Sequence, residues 1–333
     1  MVYKKIEEYL MENEYEVSCS IPNFVSEISN IYHKFESENY HLRHKKMFEV
    51  ASIYWNKIIT SNLEYFKEDL SLLNYGSGTG FEIITILKSP LKNKISKIIC
   101  YDLSKEMLLK CKENIEKNEL NLSNIEIEYI FNEKDISTHE KYDIVITNAL
   151  LHHLPNLKLF FNFLLQKLNK DGVFIMGHEP NTSFYTNEYL LEKTQQFRLY
   201  KKIITAFSFK KIALKLGLNT NQLNDDIITK TNKDLLDRSI INKELPSIII
   251  SKLVDIHVPI GFSKDQVWGE MGFDKNLIIN KYMPELELIA LKSYFHIKDY
   301  KSLDSIYWKT ISKRLAKKYP NDGADCILMF KRK

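Results

Sequence analysis

The feature that most constrains this chain is the stretch LLNYGSGTGFEI at residues 72–83. Two leucines run into Asn74 and Tyr75, and glycine then alternates with small hydroxyl residues through Gly76, Ser77, Gly78, Thr79 and Gly80. Glycine at every second position weakens both a strand and a helix, because its backbone loses the most freedom on ordering. A run of this kind suits a tight turn at which a ligand can approach the main chain.

What surrounds the turn sets the fold class. SLLNY (71–75), KIICYD (97–102), IEIEYIFN (125–132), YDIVITN (142–148) and GVFIMGHE (172–179) are short apolar runs of strand type. Between them lie helical segments: FEIITILKS (81–89), SKEMLLKCKENIEK (104–117) with Ser104 as N-cap, and LKLFFNFLLQKLN (157–169). Strands alternating with helices of this length imply parallel pairing through right-handed crossovers, hence an α/β, doubly wound, mostly parallel sheet. Residues 1–70 show helical spacing, for example Met47, Val50, Ala51, Tyr54 and Ile58. Residues 182–283 break the strand–helix rhythm and are expected to form a helical cap inserted after the fifth strand. The sheet is expected to resume with LELIALKSYFHI (286–297), a helix at 303–318 and a last strand at ADCILMFKRK. The division is therefore 1–70 as a helical cover, 71–181 plus 284–333 as a cofactor-binding core, and 182–283 as a substrate cap.

Three nucleotide-binding turns compete for residues 76–80. A P-loop needs Lys after its last glycine, and Phe81 follows Gly80. A dinucleotide fingerprint needs G-x-G-x-x-G, and its third position is Phe81. The spacing here is G-x-G-x-G. An acid, Asp102, ends the second strand within DLSKEML (102–108), and YDIVITNALLHHL (142–154) and LNKDGVFIMGHEPN (168–181) follow. Together these segments resemble the class I S-adenosylmethionine-dependent methyltransferases, over about residues 70–181. The resemblance implies a seven-stranded Rossmann-like sheet and S-adenosyl-L-methionine as cofactor, with S-adenosyl-L-homocysteine as product. It also implies a cofactor site at Asn74, Tyr75, Gly76, Ser77, Gly78, Gly80, Asp102, Leu103, Met107, Asn132, Glu133, Asn148 and Ala149. Asp102 would accept both ribose hydroxyls, and Leu103 and Met107 would flank the adenosine. Asn132 and Glu133 would meet the adenine amino group, and Asn148 and Ala149 the cofactor's amino group. Two positions depart from the family pattern: Asn74 and Asn132 stand where an acid is common. Cofactor binding with less electrostatic help, or with supplementary acids such as Glu133, is expected.

Methyl transfer asks the protein to align a nucleophile, exclude water and, where needed, accept a proton. His153 and His178 are the candidate bases, with His152 behind them, because they follow the fourth strand and end the fifth. His178 and Glu179 could instead form a hydrogen-bonded pair that shapes the substrate pocket. The N-terminal segment carries Tyr32, Tyr40, His41, Arg43 and His44; a Tyr or Arg there could reach the cofactor carboxylate, or the segment is a solvated amphipathic helix with basic side chains. The aromatic residues Phe184, Tyr185, Tyr189, Phe197, Tyr200, Phe207 and Phe209 could line an apolar pocket or form the cap core.

Composition narrows the acceptor class. The 333 residues carry a formal net charge of +4, too little to argue for nucleic acid or a membrane. In the helix at 303–320, Leu303, Ile306, Tyr307, Ile311 and Leu315 mark a buried side. Lys309, Lys313, Arg314, Lys317 and Lys318 mark a solvated or RNA-facing one. The Asn/Asp-Pro-Pro-aromatic motif of base-amino methyltransferases is replaced by NALLHHL. The expected partner is a small molecule methylated at oxygen or nitrogen. The alternatives are an RNA or protein acceptor, or a non-catalytic cofactor-binding subunit. Four cysteines (Cys19, Cys100, Cys111 and Cys326) without CxxC spacing, and no secretory leader, point to a cytoplasmic protein with no metal site. The longest apolar runs, such as SIII at 247–250, are too short to span a membrane.

Overall fold

The computed structural model describes residues 2–37, 40–136, 141–207, 222–259 and 267–333. Its centre is a seven-stranded sheet in the order β3-β2-β1-β4-β5-β7-β6. The strands are β1 (Leu70–Tyr75), β2 (Ile95–Tyr101), β3 (Glu126–Ile130), β4 (Tyr142–Asn148), β5 (Leu168–Pro180), β6 (Leu286–Tyr294) and β7 (Asp325–Arg332). The first five pair in parallel, and β7 runs antiparallel between β5 and β6. Strand order reverses between β1 and β4, which places a ligand crevice at their carboxyl ends.

Helices cover both faces. Three precede the sheet: α1 (Val2–Glu12), α2 (Ile21–Ser37) and α3 (Tyr40–Thr60). Within the sheet region come α4 (Phe81–Leu87), α5 (Lys105–Lys117) and α6 (Leu157–Lys167). The later described helices are α7 (Thr182–Thr186), α8 (Glu188–Phe207), α9 (Gln222–Asp237), α10 (Ser247–Val254) and α11 (Ile306–Lys318). Ser104 caps α5 as its side chain accepts from Met107 N at 3.2 Å. Where a turn through Gly172 was expected between α6 and β5, the strand begins at Leu168. Its register with β4 then shifts, so that Tyr142 faces Leu168 and Ile144 faces Val173.

Packing divides the described residues of 182–283 among three cores. Phe184, Tyr185, Leu190 and Phe197 join the sheet face that also buries Trp55, Phe295 and Trp308. Phe273, Ile278 and Met283 join the opposite face with Phe161 and Phe174. Leu235, Leu245, Ile249 and Leu253 pack with Ile6, Phe24 and Ile28 of the N-terminal helices in a separate cluster. Three of the aromatics read as pocket candidates are therefore core, while Tyr189 and Tyr200 are exposed. Phe209 lies outside the described residues, and the side chain of Phe207 is likewise not described. On α11 the buried residues are Trp308, Ser312 and Leu315, whereas Ile306 is 82% exposed. The first turn of the helix directs Trp308 inward and leaves Ile306 exposed, with Tyr307 stacked on Phe197. No described helix is long and apolar enough to cross a membrane.

Candidate active site

The glycine turn connects β1 to α4. Gly76, Gly78 and Gly80 all have positive φ, at 82°, 48° and 82°. The amides of Gly76 and Ser77 both donate to Tyr101 O at 2.8 Å, which ties the turn to the end of β2. Ser77 Oγ donates to Asn74 O at 3.1 Å. At Gly78 a Cβ would meet nothing within 4 Å, so the turn presents bare backbone to open space. At Gly76 a Cβ would press on the Leu150 side chain, which shows that the turn abuts the loop after β4.

Asp102 stands at the end of β2. Its Oδ2 accepts from Gly78 N at 2.7 Å and its Oδ1 accepts from Ser104 N at 2.9 Å. A carboxylate has about four lone-pair sites, so each oxygen keeps capacity for a hydroxyl. Burial raises its pKa, against the pull of the Ser104 and Gly78 amides. Beside it Leu103 is 58% exposed and Met107 is buried. On the far side, Tyr75 donates its hydroxyl to Glu133 Oε1 at 2.6 Å. Asn132 Oδ1 accepts from Lys134 N at 3.2 Å and caps a short helical turn. The carboxyl ends of β1, β2 and β3 are thus linked by Asp102 and the Tyr75–Glu133 pair.

The loop after β4 is built around one carboxylate. Glu179 Oε1 accepts from the amides of Leu150 and Leu151, both at 2.8 Å. Its Oε2 accepts from His152 N at 3.2 Å and lies 2.8 Å from His152 Nδ1. Burial raises the Glu179 carboxyl to about 7, while the three amides pull it down. The expected His178–Glu179 pair does not form. Neighbours on a strand point to opposite faces, and His178 sits at a break in the β5–β7 register with φ 53°. Its Nδ1 lies 3.0 Å from Tyr294 Oη and 3.6 Å from Asp325 Oδ2. His153 Nδ1 lies 2.8 Å from Val254 O. Burial lowers the pKa of all three imidazoles, that of His152 to about 3, so they are uncharged at neutral pH.

The N-terminal helices close over this loop. Ala149 has φ 51° and its amide donates to Gly177 O at 2.8 Å. A Cβ on Gly177 would collide with the Trp55 ring of α3. That ring donates its Nε1–H to Asn148 Oδ1 at 3.2 Å, so the Asn148 side chain anchors α3. His33 of α2 packs its ring edge-on to His153, centroids 4.9 Å apart. Glu36 gathers Arg43, His44 and His33 at 3.2–3.3 Å. Burial opposes its ionisation, but the His33 and His44 hydrogen bonds hold it well below the usual carboxylate range. Tyr32 and Tyr40 flank that cluster, and nothing is described for the His41 side chain. From the other side, His257 N donates to His152 O at 3.2 Å, and His257 Nε2 donates to Leu154 O at 2.9 Å. This brings Asp255, just beyond α10, to the two histidines.

A family of methyltransferase domains matches residues 66–233, half of the chain. The chain belongs to the class I S-adenosylmethionine-dependent methyltransferases. Solved structures with a related fold include an S-adenosylmethionine-dependent methyltransferase from Clostridium acetobutylicum. It is 17% identical over 45% of this chain and 60% of that one, with a TM-score of 0.35. The ribosomal protein L11 methylase of Lactobacillus delbrueckii subsp. bulgaricus is 22% identical, with 33% and 51% of the chains covered and a TM-score of 0.26. The YcgJ protein of Bacillus subtilis is 11% identical, with 84% and 98% covered and a TM-score of 0.38. The match therefore spans less than two thirds of the first two relatives. No curated protein matches the chain.

The residues of this methyltransferase fit the family's cofactor. Asn74 Nδ2 donates to Glu82 Oε1 at 2.6 Å, and Asn74 Oδ1 is buried with no partner. A buried acceptor without a donor costs about 1–3 kcal/mol. An ammonium would supply that donor and a counter-charge for Glu82. Glu82 is the acid that the sequence reading missed. Its signal was its place in the first turn of α4, two residues after Gly80. Burial raises its carboxyl to about 8, whereas an exposed glutamate titrates near 4.5. Between those values the folded chain holds more protons than the unfolded one, so this group's contribution to stability declines as pH rises. Glu82→Gln is therefore expected to lose less stability than wild type between pH 5 and pH 8, by on the order of a few kcal/mol. Thermal unfolding at the two pH values checks this. Identical pH dependence would mean that Glu82 is already ionised in the free protein.

Proposed function

We propose that this methyltransferase moves the methyl group of S-adenosyl-L-methionine to an oxygen or nitrogen of a small molecule held at the carboxyl ends of β4 and β5. The observation that carries the proposal is the pair of half-buried, uncharged imidazoles His153 and His178, at the carboxyl ends of β4 and β5, with the loop after β4 abutting the glycine turn. The cofactor, when bound, supplies an activated methyl on a sulfonium. Asp102 would hold the ribose hydroxyls, and Gly78 would let the cofactor lie against the backbone. Met107 and Leu103 would flank the adenosine, with Asn132 and Glu133 at the adenine edge. Asn74 Oδ1 and Glu82 would receive the ammonium. The chain's further work is positioning: α2 and α3 close over the site and exclude water, which accounts for much of what such a reaction needs.

The proton of the acceptor passes to an imidazole, His178 or His153. A neutral histidine suits that task because its ordinary pKa lies near ambient pH. His153→Ala and His178→Ala are expected to lower turnover by about 100-fold or more for the group that acts, with cofactor affinity changed far less. Single-turnover rates beside calorimetric cofactor affinities would check this. Equal loss of both would assign the residue to cofactor binding instead. A small-molecule acceptor is favoured because the formal net charge is only +4, too little for a nucleic-acid footprint. Salt-sensitive, submicromolar binding of total tRNA would favour an RNA acceptor instead. The four cysteines are free, which supports a reducing, cytoplasmic setting.

A further inference from the structure

The loop carrying His152 and His153 meets Asp255 in an arrangement that proton transfer does not explain. His152 Nε2 lies 3.9 Å from Asp255 Oδ1, and His153 Nδ1 lies 3.4 Å from the same oxygen. One ligand atom from each of the three residues lies within 4.8 Å of the others. The hydrogen bonds of the rings point elsewhere. His152 Nδ1 is satisfied by the Glu179 carboxylate and His153 Nδ1 by the Val254 carbonyl, each at 2.8 Å. Both partners accept, so both Nδ1 atoms carry the proton and both Nε2 atoms are left bare. The bare Nε2 of His152 therefore faces the Asp255 carboxylate at 3.9 Å, acceptor against acceptor, while His153 turns its Nδ1–H toward the same oxygen at 3.4 Å.

We propose that His152, His153 and Asp255 form a binding site for one divalent first-row transition-metal cation, of which Zn2+ is the simplest case. Two imidazoles and one carboxylate suit this class of ion and leave coordination positions open. The supporting contacts are those of a built metal site: ligating histidines characteristically donate their other N–H to a carboxylate or a backbone carbonyl, which fixes tautomer and ring orientation. Glu179 does this for His152 and Val254 for His153. The Asp255 side chain is 40% exposed, which provides an entry path. No sequence spacing announces the site, because Asp255 reaches the histidines through tertiary hydrogen bonds: Val254 O with His153, and His257 with His152 and Leu154.

The role of the ion rests on the transfer reaction proposed above. An acceptor hydroxyl on an open coordination position would have a lowered pKa. Its proton would pass to His178, and the new oxygen–carbon bond would form as the carbon–sulfur bond breaks, its electron pair staying on sulfur. In that case His153 acts as a ligand and His178 as the base.

Binding can be read without turnover. The metal-stripped full-length protein would be titrated with Zn2+ by calorimetry and with Co2+ by visible absorption. One equivalent per chain is expected, with Zn2+ affinity lowered about 100-fold in Asp255→Ala and in Asp255→Asn. S-adenosyl-L-homocysteine affinity, measured on the same variants, is expected to stay within about threefold. In wild-type protein, Zn2+ is expected to shift the imidazole nitrogen resonances of His152 and His153 and to leave those of the distant His296 in place. This reading needs no variant to fold. No binding, or binding unaffected by the Asp255 variants with unmoved His152 and His153 resonances, would overturn the site. Loss of cofactor affinity in wild-type protein would instead strike the transfer reaction and leave the metal result standing.

Discussion

Asp102→Ala is expected to weaken S-adenosyl-L-homocysteine binding by about 100-fold or more. Hydrogen bonds to a charged acceptor contribute about 1.5–3 kcal/mol each, and tenfold in affinity corresponds to about 1.4 kcal/mol. Two ribose hydroxyls therefore account for the expected loss. The change also frees Gly78 N and Ser104 N, which Asp102 now holds at 2.7 and 2.9 Å. The glycine turn and the start of α5 would both loosen, adding to the loss. Asp102→Asn keeps one acceptor oxygen and is expected to fall between. Titration calorimetry on the three proteins checks the order. Wild-type affinity in Asp102→Ala would place the ribose elsewhere and undo the alignment of β2 with the family.

Glu179→Ala is expected to destabilise the fold by about 3–5 kcal/mol, because each buried donor left without an acceptor costs about 1–3 kcal/mol. Three amides and one imidazole N–H would lose their shared acceptor. Nothing else described in the structure offers them one, because Glu179 is fully buried. For a protein of this size the midpoint of thermal unfolding is expected to drop by on the order of 10 °C. Glu179→Gln retains an acceptor oxygen and fits the same space, so its loss is expected to be smaller. A midpoint unchanged in Glu179→Ala would mean that the loop at 150–153 is held by its apolar contacts instead. Because Glu179 acts through His152 and the loop, both variants are expected to lower turnover more than cofactor affinity.

Much of the core was legible in the sequence because it rests on local signals. Strand–helix alternation with short connections leaves few ways to pair five parallel strands. The Gly76–Gly80 spacing and Asp102 are local in the same sense: each occupies the end of a strand, and strand ends gather at one edge of a parallel sheet. The readings that went astray concern non-local partners. His178 and Glu179 are adjacent in the chain, yet a register break and strand alternation send one to Tyr294 and the other to His152. Ile306 and Tyr307 have the spacing of a buried stripe, but α11 is rotated so that Trp308, Ser312 and Leu315 face inward and those two outward. The stretch 182–283 lacks strand periodicity. The apolar residues described there are shared among three cores, because an amphipathic helix packs on whichever apolar surface the chain path brings near.

The sequence by itself determined the sheet, the glycine turn and the carboxylate that ends β2, since backbone conformation and hydrophobic period are properties of consecutive residues. Only the tertiary structure decided the contacts around the glycine turn and the carboxyl ends of β4 and β5. It seats Trp55 on Gly177, turns Glu82 onto Asn74, and hangs the His152–His153 loop from Glu179 with Asp255 opposite. Apart from Asn74–Glu82, those contacts join residues far apart in the chain. Their energies depend on burial and on which donors remain unpaired, and neither exists until the chain has closed around them.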